Sequence, residues 1–446
     1  YLDSNAGTDS PECGLPGSPC RTFRGSLARC FSSDCHTVIA ASGSYVGDGN
    51  VAQAWIMPSA KSDFSIVSQT CFASGFAATA CTASSVAINC EGRVGWSFLR
   101  NSTIDPAITF VGLTFQHCTN SNVITGGTTG SALTTVQLSS ITVLRCAFYG
   151  CQDTFALSIA VGALPVARAG GYGSLVDQCL FQMNQAGAVC MGECVPALGH
   201  VMPGTFTLSN SVFIDNTADT LRPSPGQEGD GTIGVTAVDS VSTIAVRNLS
   251  FSLLNPPPYD NTRFKRGFVQ LRTRQLYSVV ETPSLVAQTT ITDVSLQSSA
   301  ALKGAADTES DDAYGLWFTM KAEDDLDFSS RAQTSLVVQN VRSQGWGAFA
   351  PAVRAHPIVL SMQSSNPATV SVRQLTVTDG SFGPSIHTWS PDWSLEMTGA
   401  DWSLTNLAAG TRIVVLLILL LYYSVPSQFA GLLMDATGFM ILSRFW

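Results

Sequence analysis

One short pattern returns along most of the chain: a β-branched residue or Leu, two or three polar residues, an aromatic or aliphatic residue, then a turn. It reads ITFVGLTFQHCT at 108–119, ITVLRCAFYGCQ at 141–152, SLVDQCLFQMNQ at 174–185, FTLSNSVFIDNT at 206–217 and IAVRNLSFSLLN at 244–255. Later copies are TTITDVSLQSSA at 289–300, SLVVQNVRSQGW at 335–346 and VSVRQLTVTDGS at 370–381. The anchoring aromatics Phe115, Phe148, Phe181, Phe213 and Phe251 are 33, 33, 32 and 38 residues apart. Each copy alternates with period two, so it is a short half-buried strand. A unit of this size cannot cover its own apolar face; only stacking on the next copy does so. The five Phe rings are therefore expected to form an internal ladder, continued by Leu296 and Val377. Asn184, Asn216 and Asn255 are expected at the corners. No amphipathic helical stretch separates the copies, which excludes doubly wound and TIM-type folds.

The expected fold is all-β, a parallel β-helix over 37–410 with loop inserts near 255–288 and 301–332. Its open strand edges need covering, and residues 1–36, rich in cysteine, are the expected N-terminal cap. Composition agrees: 12% of residues are charged, about half the usual share. A net charge of −9 gives no footprint for a nucleic-acid partner.

All thirteen cysteines fall between Cys13 and Cys194. Close pairs are Cys13/Cys20, Cys30/Cys35, Cys81/Cys90, Cys146/Cys151 and Cys190/Cys194, the candidate disulfides. Zinc wants tighter pairs and nearby His ligands, which only Cys190-x₃-Cys194 approaches. Disulfides place the chain outside the cytosol, and an odd count leaves one thiol over. The sequons at Asn101 and Asn248 are candidate glycosylation sites. The chain opens on Tyr1 with no charged-then-apolar leader, and reads as mature or trimmed.

From Ile413 to Met434 there are 22 residues without a charge, enough for a helix to cross a bilayer core of about 30 Å. Segment 411–446 is accordingly read as a membrane anchor, a transmembrane helix kinked at Pro426. The alternative is a buried terminal helix or strand.

At this point the sequence resembles a known family. YLDSNAGTDSPECGLPGSPCRTF at the N-terminus is similar to the starts of secreted β-helix proteins of protists and algae. SVFIDNTA and CLFQMNQAGA resemble the F-x-x-N repeats of polymorphic outer-membrane proteins. Together they resemble the pectin-lyase-like superfamily, which implies a right-handed parallel β-helix. Within that superfamily, Gly150-Cys151-Gln152-Asp153-Thr154-Phe155 is similar to the G-Y-Q-D-T-L stretch of pectin methylesterases. That resemblance implies Asp153 as general acid and Gln152 as oxyanion stabiliser. The chemistry needs a second carboxylate as nucleophile, for which Asp177 is the candidate. Three departures weigh against an esterase: Gly47 replaces the Glu of a G-x-Y-x-E stretch at 43–47, Asp177 lacks the D-F-I-F-G context, and the L-G-R-P-W motif is absent. Asp153 is then a corner residue.

Other chemistry is sparser. The acidic patch of Asp307, Glu309, Asp311, Asp312, Glu323, Asp324, Asp325 and Asp327 could hold a structural calcium, but it lacks the spacing of a dedicated loop. Trp389, Trp393 and Trp402 could form a glycan-stacking platform or close the C-terminal end. The reading that results is a non-enzymatic extracellular structural or adhesive protein. It would be a scaffold or a subunit of a cell-surface or flagellar filament, self-assembling or meeting other surface proteins. The rivals are a pectin-esterase-like carbohydrate-active enzyme using Asp153 and Asp177, and a cell-surface glycan-binding protein.

Overall fold

In the computed structural model, residues 1–99 are described apart from 59–62, 78 and 80. Beyond them the structure describes 107–119, 132–136, 140–152, 155–160, 172–185, 187–192, 204–216, 233–238, 243–254 and the later strands given below, with Gly345. The chain divides into two compact units: Tyr1–Met202 with Thr207–Phe213, and Pro203–Phe206 with Ile214–Trp446.

In the first unit every coil is three strands. The first coil is β1 (Thr37–Ala40), β2 (Gly43–Tyr45) and β3 (Gln53–Ile56); the second is β4 (Asp63–Ser68), β5 (Val86–Asn89) and β6 (Trp96–Leu99). The third is β7 (Ala107–Val111), β8 (Leu113–Gln116) and β9 (Leu133–Val136). The fourth is β10 (Ser140–Leu144), β11 (Ala147–Tyr149) and β12 (Leu157–Ala160), and the fifth β13 (Tyr172–Asp177), β14 (Leu180–Gln182) and β15 (Val189–Gly192). Each strand pairs in parallel with its counterpart one coil on, giving three ladders. This is the connectivity of an all-β parallel solenoid.

Side chains repeat from coil to coil because the register does. The first ladder stacks Val38, Ile66, Phe110, Val143 and Val176, all buried. The second stacks Tyr45, Ile88, Phe115, Phe148 and Phe181. Rings 115 and 148, 148 and 181, and 181 and 213 lie 5.3, 5.0 and 4.9 Å apart with planes within 7°. That spacing is one strand separation, so the ring stack follows from the backbone ladder. The Phe ladder of the sequence is present here.

Two corners frame the second ladder, and each is turned by a residue with positive φ. Gly112, Arg145, Gln178 and Asn210 turn the first at φ 48–69°; His117, Gly150 and Met183 turn the second at 51–63°. Gly112 has a further reason to lack a side chain: a Cβ there would meet Cys71 Sγ at 2.4 Å and Ser68 Oγ at 2.5 Å. The corner asparagine expected at 184 is a correction. Met183 makes the bend, and Asn184 is fully buried behind it. In the second unit Asp215 takes positive φ before the buried Asn216; Asn255 lies outside the described residues.

Residues 1–36 lie along the free edge of β1, through a parallel bridge between Leu2 and Ala40. The helix α1 (Phe23–Phe31) starts at Thr22, whose side chain accepts from Gly25 N, and buries Phe23, Ser26, Leu27 and Cys30, one stripe at helical spacing. Phe23 packs edge-on against Trp96, with ring centroids 4.4 Å apart, and tilted against Tyr45 at 4.9 Å.

The second unit is also mostly parallel. After β16 (Gly204–Ser209) and β17 (Val212–Ile214), each of which the division between the units cuts, come β18 (Ile233–Val238), β19 (Thr243–Leu253), β20 (Val269–Gln275), β21 (Val286–Ser298), β22 (Asp312–Ala322) and β23 (Gln333–Gln344). Then come β24 (Arg354–Gln363), β25 (Ala368–Thr378), β26 (Ser385–Trp389), β27 (Trp393–Met397), β28 (Ser403–Thr405), β29 (Arg412–Ile418), β30 (Phe429–Asp435) and β31 (Met440–Phe445). Strands β19, β21, β23 and β25 run in register, and each carries one positive-φ residue in mid-strand: Asn248, Asp293, Asn340 and Gln374. The first-unit corner that separates two short strands is here one bend inside a long strand.

Phe251 is in register with Leu296, Leu296 with Ser343, and Ser343 with Val377. Sequence reading passes over Ser343, which is buried with its Oγ unpaired. A buried hydroxyl without a partner costs about 1–3 kcal/mol. Ser343→Ala is therefore expected to raise stability by about 1 kcal/mol, seen as a higher denaturant midpoint at unchanged slope.

Among the described residues the expected C-terminal transmembrane helix is replaced by strands. Arg412–Ile418 is a strand parallel to β26, and Phe429–Asp435 pairs with it antiparallel. Among the described residues no helix is long and apolar enough to cross a membrane. An unbroken apolar run that starts Ile-Val-Val reads as a buried strand as readily as a helix, and its β-branched residues favour the strand.

Candidate functional site

Four disulfides join described cysteines in the first unit: Cys13–Cys20, Cys30–Cys35, Cys71–Cys81 and Cys90–Cys118. The first two are the expected pairs. The pairing Cys81/Cys90 is corrected: Cys81 closes on Cys71 across the insert between β4 and β5, and Cys90 reaches Cys118 on the next coil. Cys146/Cys151 is corrected too, since both are free, buried thiols. Strand β11 separates them, so they occupy different corners of one coil. Cys190 is disulfide-bonded; Cys194 lies outside the described residues. A disulfide set of this size fits an oxidising, extracytosolic compartment.

Of the candidate catalytic residues, Gln152 and Asp177 stand at different corners of successive coils. Asp177 ends β13 and its carboxylate is engaged by the next coil: Ser209 Oγ donates at 2.6 Å and Asn210 Nδ2 at 2.7 Å, both to Oδ1. Oδ2 accepts from Gln178 Nε2 at 2.9 Å. Gln152 bridges to Thr119 and its N–H donates to Cys118 O. Asp153 lies outside the described residues. Tyr45, from the esterase-like 43–47 stretch, is a fully buried rung of the second ladder, and its hydroxyl donates to Ala41 O at 2.8 Å. Burial pushes that phenol above the usual tyrosine range.

Of the remaining candidates, Asn248 is exposed at its positive-φ corner, whereas Asn101 lies outside the description. Trp389 ends β26 and Trp393 begins β27; Trp402 is not described. Of the acidic patch only Asp312 is placed, at the start of β22. Among the described residues one cluster has metal-ligand proximity, Asp9 with Cys13 and Cys20. Its sulfurs are bonded to each other, which removes them as thiolate ligands.

Sequence reading missed the feature with the clearest shape. A cleft of about 550 Å³ runs over the outer face of β8, β11 and β14. Thr114, Gln116, Ala147, Tyr149 and Leu180 form its floor, Cys81–Ala83 of the disulfide-closed insert one wall, and Arg145 with Gln178 its end. Arg145 Nη1 donates to Phe76 O and Nε to Gln178 Oε1 at 2.9 Å, so the guanidinium ties the insert to the corner of the next coil. None of the described lining residues carries a carboxylate. The cleft can hold a polar or anionic ligand by hydrogen bonds, but it brings no acid–base pair to one. Its signal in the sequence was the outward half of each repeat, T-x-Q, A-x-Y and L-x-Q, beside an insert closed by two cysteines.

The three free thiols face inward. Burial pushes Cys146 and Cys151 up to about 12 and raises Cys179 well above the ordinary thiol range. A thiol raised on folding favours the native state below its unfolded value, near 9, and loses that contribution as pH climbs through the folded value. Stability is thus expected to fall between about pH 9 and 12, and Cys151→Ala to flatten this limb, as equilibrium unfolding across that range would measure.

Compared with protein-family models, with curated proteins and with solved structures, the chain matches none.

Proposed function

We propose that this chain is a non-enzymatic, extracellular structural or adhesive protein, a right-handed parallel β-helix of the pectin-lyase-like kind. It would serve as a scaffold or filament subunit at a cell surface. The observation that carries this reading is Asp177. The carboxylate best placed by sequence to be a nucleophile is engaged by three donors, two of which, Ser209 and Asn210, tie it to the next coil, the third being its neighbour Gln178. A nucleophile held by three hydrogen bonds is stabilised in its resting state and loses reactivity. The same habit recurs in the second unit, where Asn340 Nδ2 donates to Asp293 Oδ1 on the neighbouring strand. Polar corner residues serve cohesion between coils.

The cleft favours a second role compatible with the first, adhesion to a polar glycan through Arg145, Gln178 and Tyr149. Sedimentation and negative-stain microscopy of the secreted full chain, with calcium and without, test the assembly claim. Regular polymers are expected, and a strictly monomeric particle would remove that claim. Turnover of methyl-esterified polyuronate that disappears in Asp177→Asn would overturn the non-enzymatic reading.

A further inference from the structure

Cys146 and Cys179 occupy the same place on successive coils. Each follows the positive-φ residue of the first corner, Arg145 and Gln178, and each is 1% exposed. Register fixes them opposite one another, because Leu144 pairs with Asp177 just before them and Ala147 with Leu180 just after. Leu180 N donates to Cys146 O across the pair. Their sulfurs are translated copies. Cys146 Sγ faces Leu144 O at 3.5 Å and Phe110 O at 3.7 Å; Cys179 Sγ faces Asp177 O at 3.3 Å and Val143 O at 3.5 Å. Adjacent strands are about 4.8 Å apart, inside the 4.4–6.8 Å Cα separation a disulfide accepts. The Cys90–Cys118 bridge already joins adjacent coils, with its Cα atoms 4.8 Å apart.

Cys151 has no such neighbour. It lies at the second corner, with Cys118, which is bonded to Cys90, on one side and Asn184 on the other.

We propose that Cys146 and Cys179 become a further inter-coil disulfide when the chain folds under oxidising conditions, leaving Cys151 as the unpaired cysteine among the described residues. The step is a two-electron oxidation. The two S–H groups lose two protons and two electrons, an S–S bond forms, and a disulfide oxidant such as oxidised glutathione is reduced to two thiols by way of a mixed disulfide. It must happen before the coils close, since the folded interior excludes the oxidant and holds both sulfurs as thiols. The inference rests on the oxidising-compartment reading.

Its test is to refold the full chain in a glutathione redox buffer, denature it unreduced with N-ethylmaleimide present, and map the peptides. Of the three cysteines only Cys151 is expected to carry label, with Cys146 and Cys179 recovered as one linked peptide. In Cys151→Ser neither Cys146 nor Cys179 should be labelled, and in Cys146→Ser label should appear on Cys179 as well as on Cys151. Label on both Cys146 and Cys179, or a link from either to Cys151, while the four described disulfides are intact, overturns the inference alone. If those four are open as well, the compartment reading fails and takes this one with it.

Discussion

Phe148→Ala is expected to cost about 3–5 kcal/mol, the range for truncating a Phe in a packed core. Phe148 is a rung with ring partners on both faces, Phe115 at 5.3 Å and Phe181 at 5.0 Å, and it is fully buried. Removing it withdraws the apolar area of one ring and leaves a gap that neither neighbour can fill. Its neighbours are fixed by the parallel register of β8, β11 and β14, so the coils cannot close over the hole without breaking hydrogen bonds. Phe148→Leu keeps most of the volume and should cost under about 1.5 kcal/mol. Denaturant unfolding of the full chain, read by amide exchange in the first unit, measures both. Because a coil depends on the two beside it, exchange should speed up in β8 and β14 as well as in β11. An Ala variant within about 1 kcal/mol of the parent would mean the ring stack is not the core of this unit.

The ladder was legible because an inward-facing aromatic is a large, rare residue repeated at a fixed interval. The corner was not. It stands three residues before each ladder position, and the residues there are Gly112, Arg145, Gln178, Asn210, Asn248, Asp293, Asn340 and Gln374. Gly, Asn and Asp advertise a left-handed turn; Arg and Gln do not, so the column has no single residue type to search for. What holds Arg145 and Gln178 in that conformation is the stacking of coils already turned there, a tertiary effect invisible to local propensity. Cysteine pairing divides along the same line. Neighbours in sequence pair when one loop holds both, as in Cys13–Cys20. They do not when stacking brings a nearer partner from the next coil, as in Cys90–Cys118, which are 28 residues apart. The apolar run after Arg412 misled for a related reason: length and hydropathy fit a membrane helix, and only pairing with β26 and β30 decides for strands.

Asn184→Ala should cost about 1–3 kcal/mol, though it removes little apolar surface. The Asn184 side chain faces the previous coil with both ends of its amide engaged. Oδ1 accepts from Cys151 N at 3.0 Å, and Nδ2 donates to Phe148 O at 3.1 Å. Both partners are backbone groups of a buried corner that water does not reach. Truncation leaves the Cys151 N–H unpaired, at about 1–3 kcal/mol, and takes one of two donors from Phe148 O, which the β11–β14 ladder still pairs. Asn184→Asp separates this account from a packing effect. A protonated Asp can still accept from Cys151 N and donate to Phe148 O, whereas an ionised one has no donor and is a buried charge facing a carbonyl. The folded pKa of that Asp must then rise above its unfolded value, near 3.9. Its stabilising contribution is therefore complete below that value and lost as pH rises through the folded one. The expected result is a stability difference between Asn184→Asp and Asn184→Ala that favours Asp at about pH 3 and disappears or reverses by neutrality. Measuring the pair side by side cancels the titration of every other group. A difference that does not change with pH would mean that Asn184 fills space and carries no hydrogen bonds between the coils.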